Sequence, residues 1–129
     1  WRARRSERLA ESAGINGPAA LARTENGATR DGPAAEVARE AAREVARVAR
    51  TVGVGVSDDR AVAAVERVAA DTAANRSSMY EDVANDRRTE VDAIYGAVVD
   101  RAERRGVSVP TCRTIGALIR GWEAERGLR

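Results

Sequence analysis

The sequence has no phenylalanine, histidine or lysine, and it contains one cysteine, two tryptophans and two tyrosines. The single cysteine, Cys112, excludes an internal disulfide and is typical of a reducing compartment. Without histidine, and with one thiol, the usual imidazole and thiolate metal sites are excluded, so we expect no bound metal. The 43% hydrophobic content comes largely from alanine and valine, which favours closely packed helices over a sheet.

The charges give little indication of a partner. The 22 basic residues are all arginines, and with 20 acidic residues they leave a net charge of +2. This balance does not predict nucleic-acid binding, although Arg2, Arg4, Arg5 and Arg8 lie close together in the sequence. No apolar stretch approaches the length that crosses a membrane, and no signal peptide is visible. We therefore expect a soluble cytoplasmic protein that binds neither nucleic acid nor membrane.

Apolar residues recur at three- and four-residue steps, which predicts an all-α fold. The predicted helices cover residues 33–53, 57–72, 89–106 and 110–122. Val37 and Leu118 are among the apolar residues placed on the core stripes of their helices. A further segment, 2–23, is predicted to be helical but interrupted near 14–18, because Pro18 removes a backbone donor.

Loop and cap signals separate these helices. The segment 53–57 holds the first two glycines of a G-x-G-x-x-G fingerprint. That fingerprint binds a dinucleotide only between a strand and a helix, and here a charged helix precedes it. We therefore predict a helix–loop–helix connection, with Ser57 as the cap of the next helix. Thr89 and Asp92 have the spacing of an approximate capping box.

One segment carries a specific resemblance. Residues 76–99 read RSSMYEDVANDRRTEVDAIYGAVV. This resembles the signature of the ketopantoate reductase C-terminal domain, S-S-M-x-x-D, six residues, then T-E-[IV]-D-x-I-x-G. The matching positions are Ser77, Ser78, Met79, Asp82, Thr89, Glu90, Asp92, Ile94 and Gly96. Weaker matches at 14–21, 26–27 and 106–111 extend the resemblance over nearly the whole chain.

The resemblance implies one helical substrate-binding domain over 1–129, similar to the C-terminal domain of 6-phosphogluconate dehydrogenase. A diverged N-terminal helix and loop, 1–30, would precede the core helices, 31–129. In the family a separate Rossmann domain binds NADPH, and this sequence contains no such unit. The implied reaction reduces ketopantoate (2-dehydropantoate) to pantoate, in pantothenate and coenzyme A biosynthesis, and the chain is expected to be inactive without a Rossmann domain. The alternative is a non-catalytic dimerisation or binding module derived from the family.

Three site residues follow from positions that match the family. Ser78 falls on a serine that hydrogen-bonds the substrate carboxylate; without the resemblance, a helix cap is the favoured interpretation. Glu90 falls on a glutamate that orients the substrate and the nicotinamide ribose; it is also an ordinary acidic residue in a first helical turn. Asn16 falls on an asparagine that contacts the hydroxyl end of the substrate, and the alternative is a helix breaker before Gly17-Pro18.

Other positions depart from the family pattern. The family lysine that donates a proton falls on Arg8, and a second asparagine falls on Ser12. A guanidinium can stabilise a developing alkoxide, but it remains protonated and is a poor proton donor. Tyr95 and Cys112 stand where asparagine is common in the family. For Cys112, a packed thiol is the simpler interpretation. These departures leave the fold prediction unchanged, and they count against efficient catalysis.

Overall fold

The computed structural model describes residues 2–129, and within that range it contains helices and loops but no strand. The helices are α1 (Ala3–Ala22), α2 (Ala28–Asp31), α3 (Ala34–Thr51), α4 (Asp58–Asp71), α5 (Ser78–Ala84), a π-helical turn (Asp92–Gly96) that continues into α6 (Ala97–Arg105), and α7 (Pro110–Glu125). The all-α prediction is confirmed. The segment 53–57 is the loop between α3 and α4, and the Ser57 hydroxyl accepts from the Arg60 N–H as a helix cap.

Alanine and glycine bring the central helices close together. Ala10 and Ala13 of α1 and Ala38 and Ala42 of α3 are completely buried in one hydrophobic core. A Cβ at Gly14 would lie 2.9 Å from Val65 Cγ2 and 3.1 Å from the Ala38 carbonyl oxygen, which is too close without a shift of these neighbours. Small residues therefore allow dense packing without large apolar side chains.

Two apolar residues expected in the core are exposed instead. Val37 is 41% exposed and Leu118 is 55% exposed. In α3 the buried stripe runs through Ala38, Ala41 and Val45, so Val37 lies on its edge. In α7 the core is filled by Ile115 and Ile119, and Leu118 faces away from them. The prediction was wrong at these two positions because periodicity defines a stripe but not its edges.

The predicted interruption of the N-terminal helix was also wrong, because α1 runs continuously from Ala3 to Ala22 with Pro18 inside it. The hydroxyl of the buried Tyr95 accepts from the Gly17 N–H at 2.8 Å and donates to the Ala13 carbonyl at 2.5 Å. In a regular α-helix these two backbone groups pair with each other. The phenol thus satisfies the backbone in the turn that precedes the proline, where a helix is usually disturbed.

Two buried carboxylates accept hydrogen bonds from backbone N–H groups at the starts of helices that are distant from them in sequence. Glu44 of α3 accepts from the Thr111 and Cys112 N–H groups, at 2.9 and 2.8 Å, and so caps α7. Glu123 of α7 accepts from both the N–H and the hydroxyl of Thr89. The predicted capping box therefore forms only in part: the Thr89 hydroxyl accepts from the Val91 N–H, but the reciprocal bond from Asp92 is not made. Asp92 does not cap Thr89; it binds arginines instead.

Candidate functional site

Arg8, Ser12 and Asn16 lie on one face of α1, because each is one helical turn after the previous one. The face is open to two neighbouring cavities. One, of about 280 Å³, lies between α1, the end of α4 and the start of α5, and we call it the serine cavity. The other, of about 320 Å³, lies between α1 and the helix that begins near Val91, and we call it the arginine cavity. Ser12 lines both cavities.

The serine cavity brings together Ser12, Asn16 and Ser78. The Ser78 hydroxyl donates to Asn16 Oδ1 at 3.3 Å, across 62 residues of sequence. The Asn16 amide donates to the Ser12 carbonyl at 3.1 Å, which fixes the orientation of the carboxamide. Two of the three residues that the family resemblance selected, and Ser12 beside them, therefore share one site.

The two neighbouring serines have different contacts. The Ser77 hydroxyl accepts from the Tyr80 N–H and caps α5, and Ser77 is buried. Ser78 is exposed, and its hydroxyl points to Asn16 rather than to the α5 backbone. The cap that competed with a binding role for Ser78 is thus supplied by Ser77, so the α5 backbone does not use the Ser78 hydroxyl, which faces Asn16 at the cavity.

Asn26 is a further polar residue of the serine cavity, and the sequence analysis did not select it. Its side-chain nitrogen donates to the Thr72 hydroxyl at 3.0 Å, and the residue is only 7% exposed. Its Oδ1 is buried and accepts no hydrogen bond from the described part of the chain. A buried oxygen without a donor is costly, so this atom favours a ligand that brings a hydroxyl into the cavity. The Asn26-Gly27 match to the family was the available signal.

Arg8 and Glu90 are less closely connected to this cavity. Arg8 is exposed and lines the arginine cavity with Arg5 and Arg101. Glu90 is exposed at the start of the helix that carries Ala93, and it lines neither the serine nor the arginine cavity. The structure therefore places Arg8 beside Ser12 and leaves Glu90 outside both cavities.

Burial raises the pKa of three groups in this part of the protein. It raises the pKa of Glu11, which lines the serine cavity, although Arg67 opposes the shift. Burial also raises the pKa of the Tyr95 hydroxyl and that of the Cys112 thiol, which has the Glu44 carboxylate beside it. Cys112 is completely buried, and its Sγ lies 3.8 Å from the Ala41 carbonyl. Both groups stay protonated and packed at neutral pH.

Residues 2–129 contain no cluster of acidic and cysteine side chains suited to a metal ion.

Comparison with known proteins identifies the family of the chain. The sequence model described as "Ketopantoate reductase PanE/ApbA C terminal" matches residues 1–123. The chain belongs to the ketopantoate reductase family. The 2-dehydropantoate 2-reductase of Halobacterium salinarum is 44% identical over 115 residues, which cover 88% of this chain and 38% of that protein. The chain thus spans well under half the length of this relative and corresponds to the C-terminal part of the family.

Solved structures show the same fold. The ketopantoate reductase of Ralstonia eutropha superimposes with a TM-score of 0.86 at 29% identity, over 97% of this chain and 42% of that one. A D-mandelate dehydrogenase, solved with NADH and anilino(oxo)acetate, superimposes with a TM-score of 0.87 at 21% identity, over 96% of this chain and 70% of that one. At that identity the second likeness concerns the fold alone.

None of the described helices is both long and apolar enough to cross a bilayer.

Proposed function

We propose that this chain is the substrate-binding half of an NADPH-dependent 2-dehydropantoate 2-reductase, and that the serine cavity holds the substrate. The observation that carries the proposal is the hydrogen bond between Ser78 and Asn16. The Ser78 Oγ lies 3.3 Å from Asn16 Oδ1, although the two residues are 62 positions apart in sequence. Side chains from two helices meet there at an open cavity, beside a buried oxygen of Asn26 that accepts no hydrogen bond from residues 2–129. A small hydroxy or oxo acid offers the complementary groups.

The polar groups of the cavity suit the two ends of such an acid. A bound carboxylate would replace Asn16 Oδ1 as the acceptor of the Ser78 O–H, and the Ser12 hydroxyl lines the same cavity. The Asn16 and Asn26 carboxamides offer acceptors to the hydroxyl groups at the other end. Because a site built for hydrogen bonds rejects analogues that lack them, these residues would also provide specificity.

In this proposal Arg8 acts by charge. As the ketone becomes an alcohol, negative charge develops on its oxygen, and a guanidinium at the edge of the site stabilises that charge. Arginine is a poor proton donor, so the proton that completes the alcohol comes from water. When bound, a nicotinamide cofactor supplies the hydride. Glu90 is the one residue of this chain that we assign to it, because an exposed carboxylate can accept hydrogen bonds from ribose hydroxyls.

The nucleotide-binding half is the essential partner in this proposal. The chain spans only 38% of its H. salinarum relative, and its Gly53–Gly55 segment is a loop between helices, which does not form a dinucleotide site. We therefore propose that the chain is inactive unless a Rossmann domain is joined to it. The implied location is the cytoplasm, where NADPH and the oxo acid are available.

A hybrid enzyme tests the proposal. Residues 1–129 would replace the corresponding part of the H. salinarum enzyme, and NADPH oxidation would be measured with ketopantoate. We expect slow turnover, and Ser78→Ala should reduce kcat/KM by about tenfold or more, the loss of one charge-assisted hydrogen bond. Ser108→Ala, at an exposed position on the α6–α7 loop, is the matched control. A hybrid that folds and binds NADPH but never turns over ketopantoate would contradict the proposal.

A second candidate function, an assembly module, is favoured by one observation. The exposed Leu21, Val37 and Leu118 line the same largely apolar depression, of about 520 Å³, between α1, α3 and α7. Exposed apolar patches commonly mark contacts with other proteins, and a second copy of the chain is the partner we expect. Sedimentation equilibrium would show a dimer that Leu118→Glu dissociates and Ala124→Glu does not. A monomer at all concentrations would remove this candidate.

A further inference from the structure

Glu11 lies on α1 between two hollows of the surface. On one side it lines the serine cavity, and among the residues of 2–129 that line this cavity it is the one acidic side chain. On the other side it lines a depression of about 350 Å³ together with Arg8 and Arg67. A proton can therefore reach the Glu11 carboxylate from the depression while a ligand occupies the serine cavity.

The Glu11 carboxylate is less constrained than that of Glu7, which lies one helical turn earlier on α1. Glu7 forms an ion pair with Arg60 and does not line the serine cavity. Within residues 2–129, no partner lies at hydrogen-bond or ion-pair distance from the Glu11 carboxylate, and nearby arginines act on it from further away. A proton that binds to Glu11 therefore breaks no direct ion pair with these residues.

The charges around Glu11 come from the two helices that pack there. Burial raises the pKa of Glu11 most strongly, and Glu7 adds to this effect. Arg67 of α4 opposes it, as do Arg8 and Arg4 of α1, but the pKa of Glu11 stays above its ordinary value. The carboxylate is thus easier to protonate than one at an open surface, in spite of the arginines.

Arg76 is the other charged residue of the serine cavity. Its guanidinium carbon lies 4.9 Å from the centre of the Tyr80 ring, in a cation–π contact that holds it at the α5 side. An arriving carboxylate is therefore attracted by Arg76 and repelled by an ionised Glu11 within the same cavity of about 280 Å³. Protonation of Glu11 removes the repulsion and leaves the attraction.

We propose that the serine cavity takes up its acid together with one proton, and that this proton binds to the Glu11 carboxylate. The inference rests on the proposed function, because the repulsion requires that the carboxylate of the ligand enters this cavity. Once protonated, Glu11 offers the ligand a hydrogen-bond donor in place of a second negative charge. Reduction of a ketone consumes one proton, and this proton, taken from water, then lies in the substrate cavity.

The affinity for the acid should therefore fall as the pH rises. Below the pKa of Glu11 in the free chain, the carboxyl already carries the proton and binding takes up none. A like charge nearby raises a carboxyl pKa, so the bound acid moves the pKa of Glu11 upward. Between the free and the bound pKa, binding draws a proton from solvent, because the effects of proton and acid on each other are reciprocal. Above the bound pKa, the acid must bind beside an ionised carboxylate.

The test is a calorimetric titration of the chain with pantoate between about pH 5 and 7, where pantoate itself stays ionised. Runs in two buffers of different ionisation enthalpy give the number of protons taken up. We expect uptake of up to one proton, and an affinity that falls by about three- to tenfold towards pH 7.

Glu11→Gln keeps the size of the side chain and removes its charge. This variant should bind pantoate without proton uptake, with an affinity that does not depend on pH and that exceeds the affinity of the parent chain at pH 7. Such a gain cannot result from damage to the fold. Glu36→Gln is the matched control, because it removes the same charge from an exposed position on α3, outside the serine cavity, and it should behave as the parent chain does.

Two kinds of failure can be told apart. Pantoate binding that is independent of pH in the parent chain, or proton uptake that Glu11→Gln leaves unchanged, would overturn the role of Glu11 and leave the assignment of the serine cavity intact. If pantoate binds neither the parent chain nor Glu11→Gln anywhere in this pH range, the serine cavity is not the site of the acid. In that case the proposed function fails, and the role of Glu11 fails with it.

Discussion

The phenol oxygen of Tyr95 lies 2.8 Å from the amide nitrogen of Gly17, although the two residues are 78 positions apart in sequence. This contact joins the π-helical turn to α1 directly after Asn16, one of the residues of that helix that line the serine cavity. Extra-long turns of this kind are often found at functional sites. The position of the cavity wall therefore depends on a buried side chain that does not line the cavity.

Removing this hydroxyl should destabilise the protein and loosen α1. We expect Tyr95→Phe to lower the free energy of unfolding by about 1–2 kcal/mol, because the buried hydroxyl makes two hydrogen bonds. Urea unfolding measures the loss, and amide exchange at Gly17 should become faster. Tyr80→Phe, at a half-buried tyrosine, is the control. Unchanged exchange at Gly17 would show that the contact does not hold the turn.

Gly17 itself should tolerate no side chain. A Cβ there would clash with Cγ2 of Ile115 and with the Tyr95 hydroxyl. We expect Gly17→Ala to cost about 1–3 kcal/mol, the usual penalty of overpacking. Gly121→Ala is the matched control, because nothing lies within 4 Å of its Cβ and the position is exposed on α7. Thermal unfolding should show the first variant melting lower and the second melting slightly higher, since alanine favours helix. Equal melting temperatures would mean that α1 and α7 adjust freely.

The buried Glu44 carboxylate should be important for α7. Replacing it in Glu44→Gln turns one of its two oxygens into a donor, which faces a backbone N–H of Thr111 or Cys112. We expect a loss of about 1–3 kcal/mol in urea unfolding. Glu40→Gln, one turn earlier on the same helix and in a partly exposed ion pair with Arg43, should change stability by less than about 0.5 kcal/mol. Similar losses in the two variants would contradict the capping role.

Asp92 should make stability depend on acid pH. Burial alone would raise the pKa of Asp92, but hydrogen bonds from Arg120 and Arg129 outweigh it and lower that pKa below its ordinary value of 3.8. A carboxylate with a lowered folded-state pKa stabilises the protein above its unfolded pKa, and the contribution disappears as the pH falls through the folded pKa.

Asp92→Asn should therefore cost about 0.5–1 kcal/mol at pH 7, a small value because these side chains are partly exposed. The difference from the parent chain should shrink steadily in urea titrations carried out below pH 4. Asp86→Asn is the control, because Asp86 is more exposed and pairs with one arginine, Arg126. A difference that stays constant with pH would show that ionisation of Asp92 is not the cause.

Local signals were enough to predict the four long helices after α1, because apolar spacing and helix caps depend on nearby residues. The Ser57 cap and the turn at Gly106, where φ is +67°, follow from residue type at a helix end. The contacts that stabilise α1 and α7 could not be predicted in this way. These contacts are hydrogen bonds to backbone groups 34 to 82 residues away in sequence, made by the side chains of Tyr95, Glu44 and Glu123. No spacing rule connects such positions.

The candidate site was predicted in part. The family resemblance selected Asn16 and Ser78, and the fold brings them to one cavity with Ser12, which stands where the family has asparagine. The roles of these residues, and those of Arg8 and Glu90, stay predictions. Asn26 was missed because its orphaned oxygen is a consequence of tertiary packing. The arginine cavity was missed for a similar reason, since Arg101 lies about ninety residues from Arg5 and Arg8 in sequence.

Binding of pantoate to the serine cavity is the most direct test of the central claim. The chain would be titrated with pantoate and followed by ¹H–¹⁵N NMR, beside the Ser78→Ala variant and the Ser108→Ala control. We predict saturable shifts at Ser12, Asn16 and Asn26 in the parent chain and the control, with binding weakened about tenfold in Ser78→Ala. Shifts that are absent from these residues, or that Ser78→Ala leaves unchanged, would contradict the account.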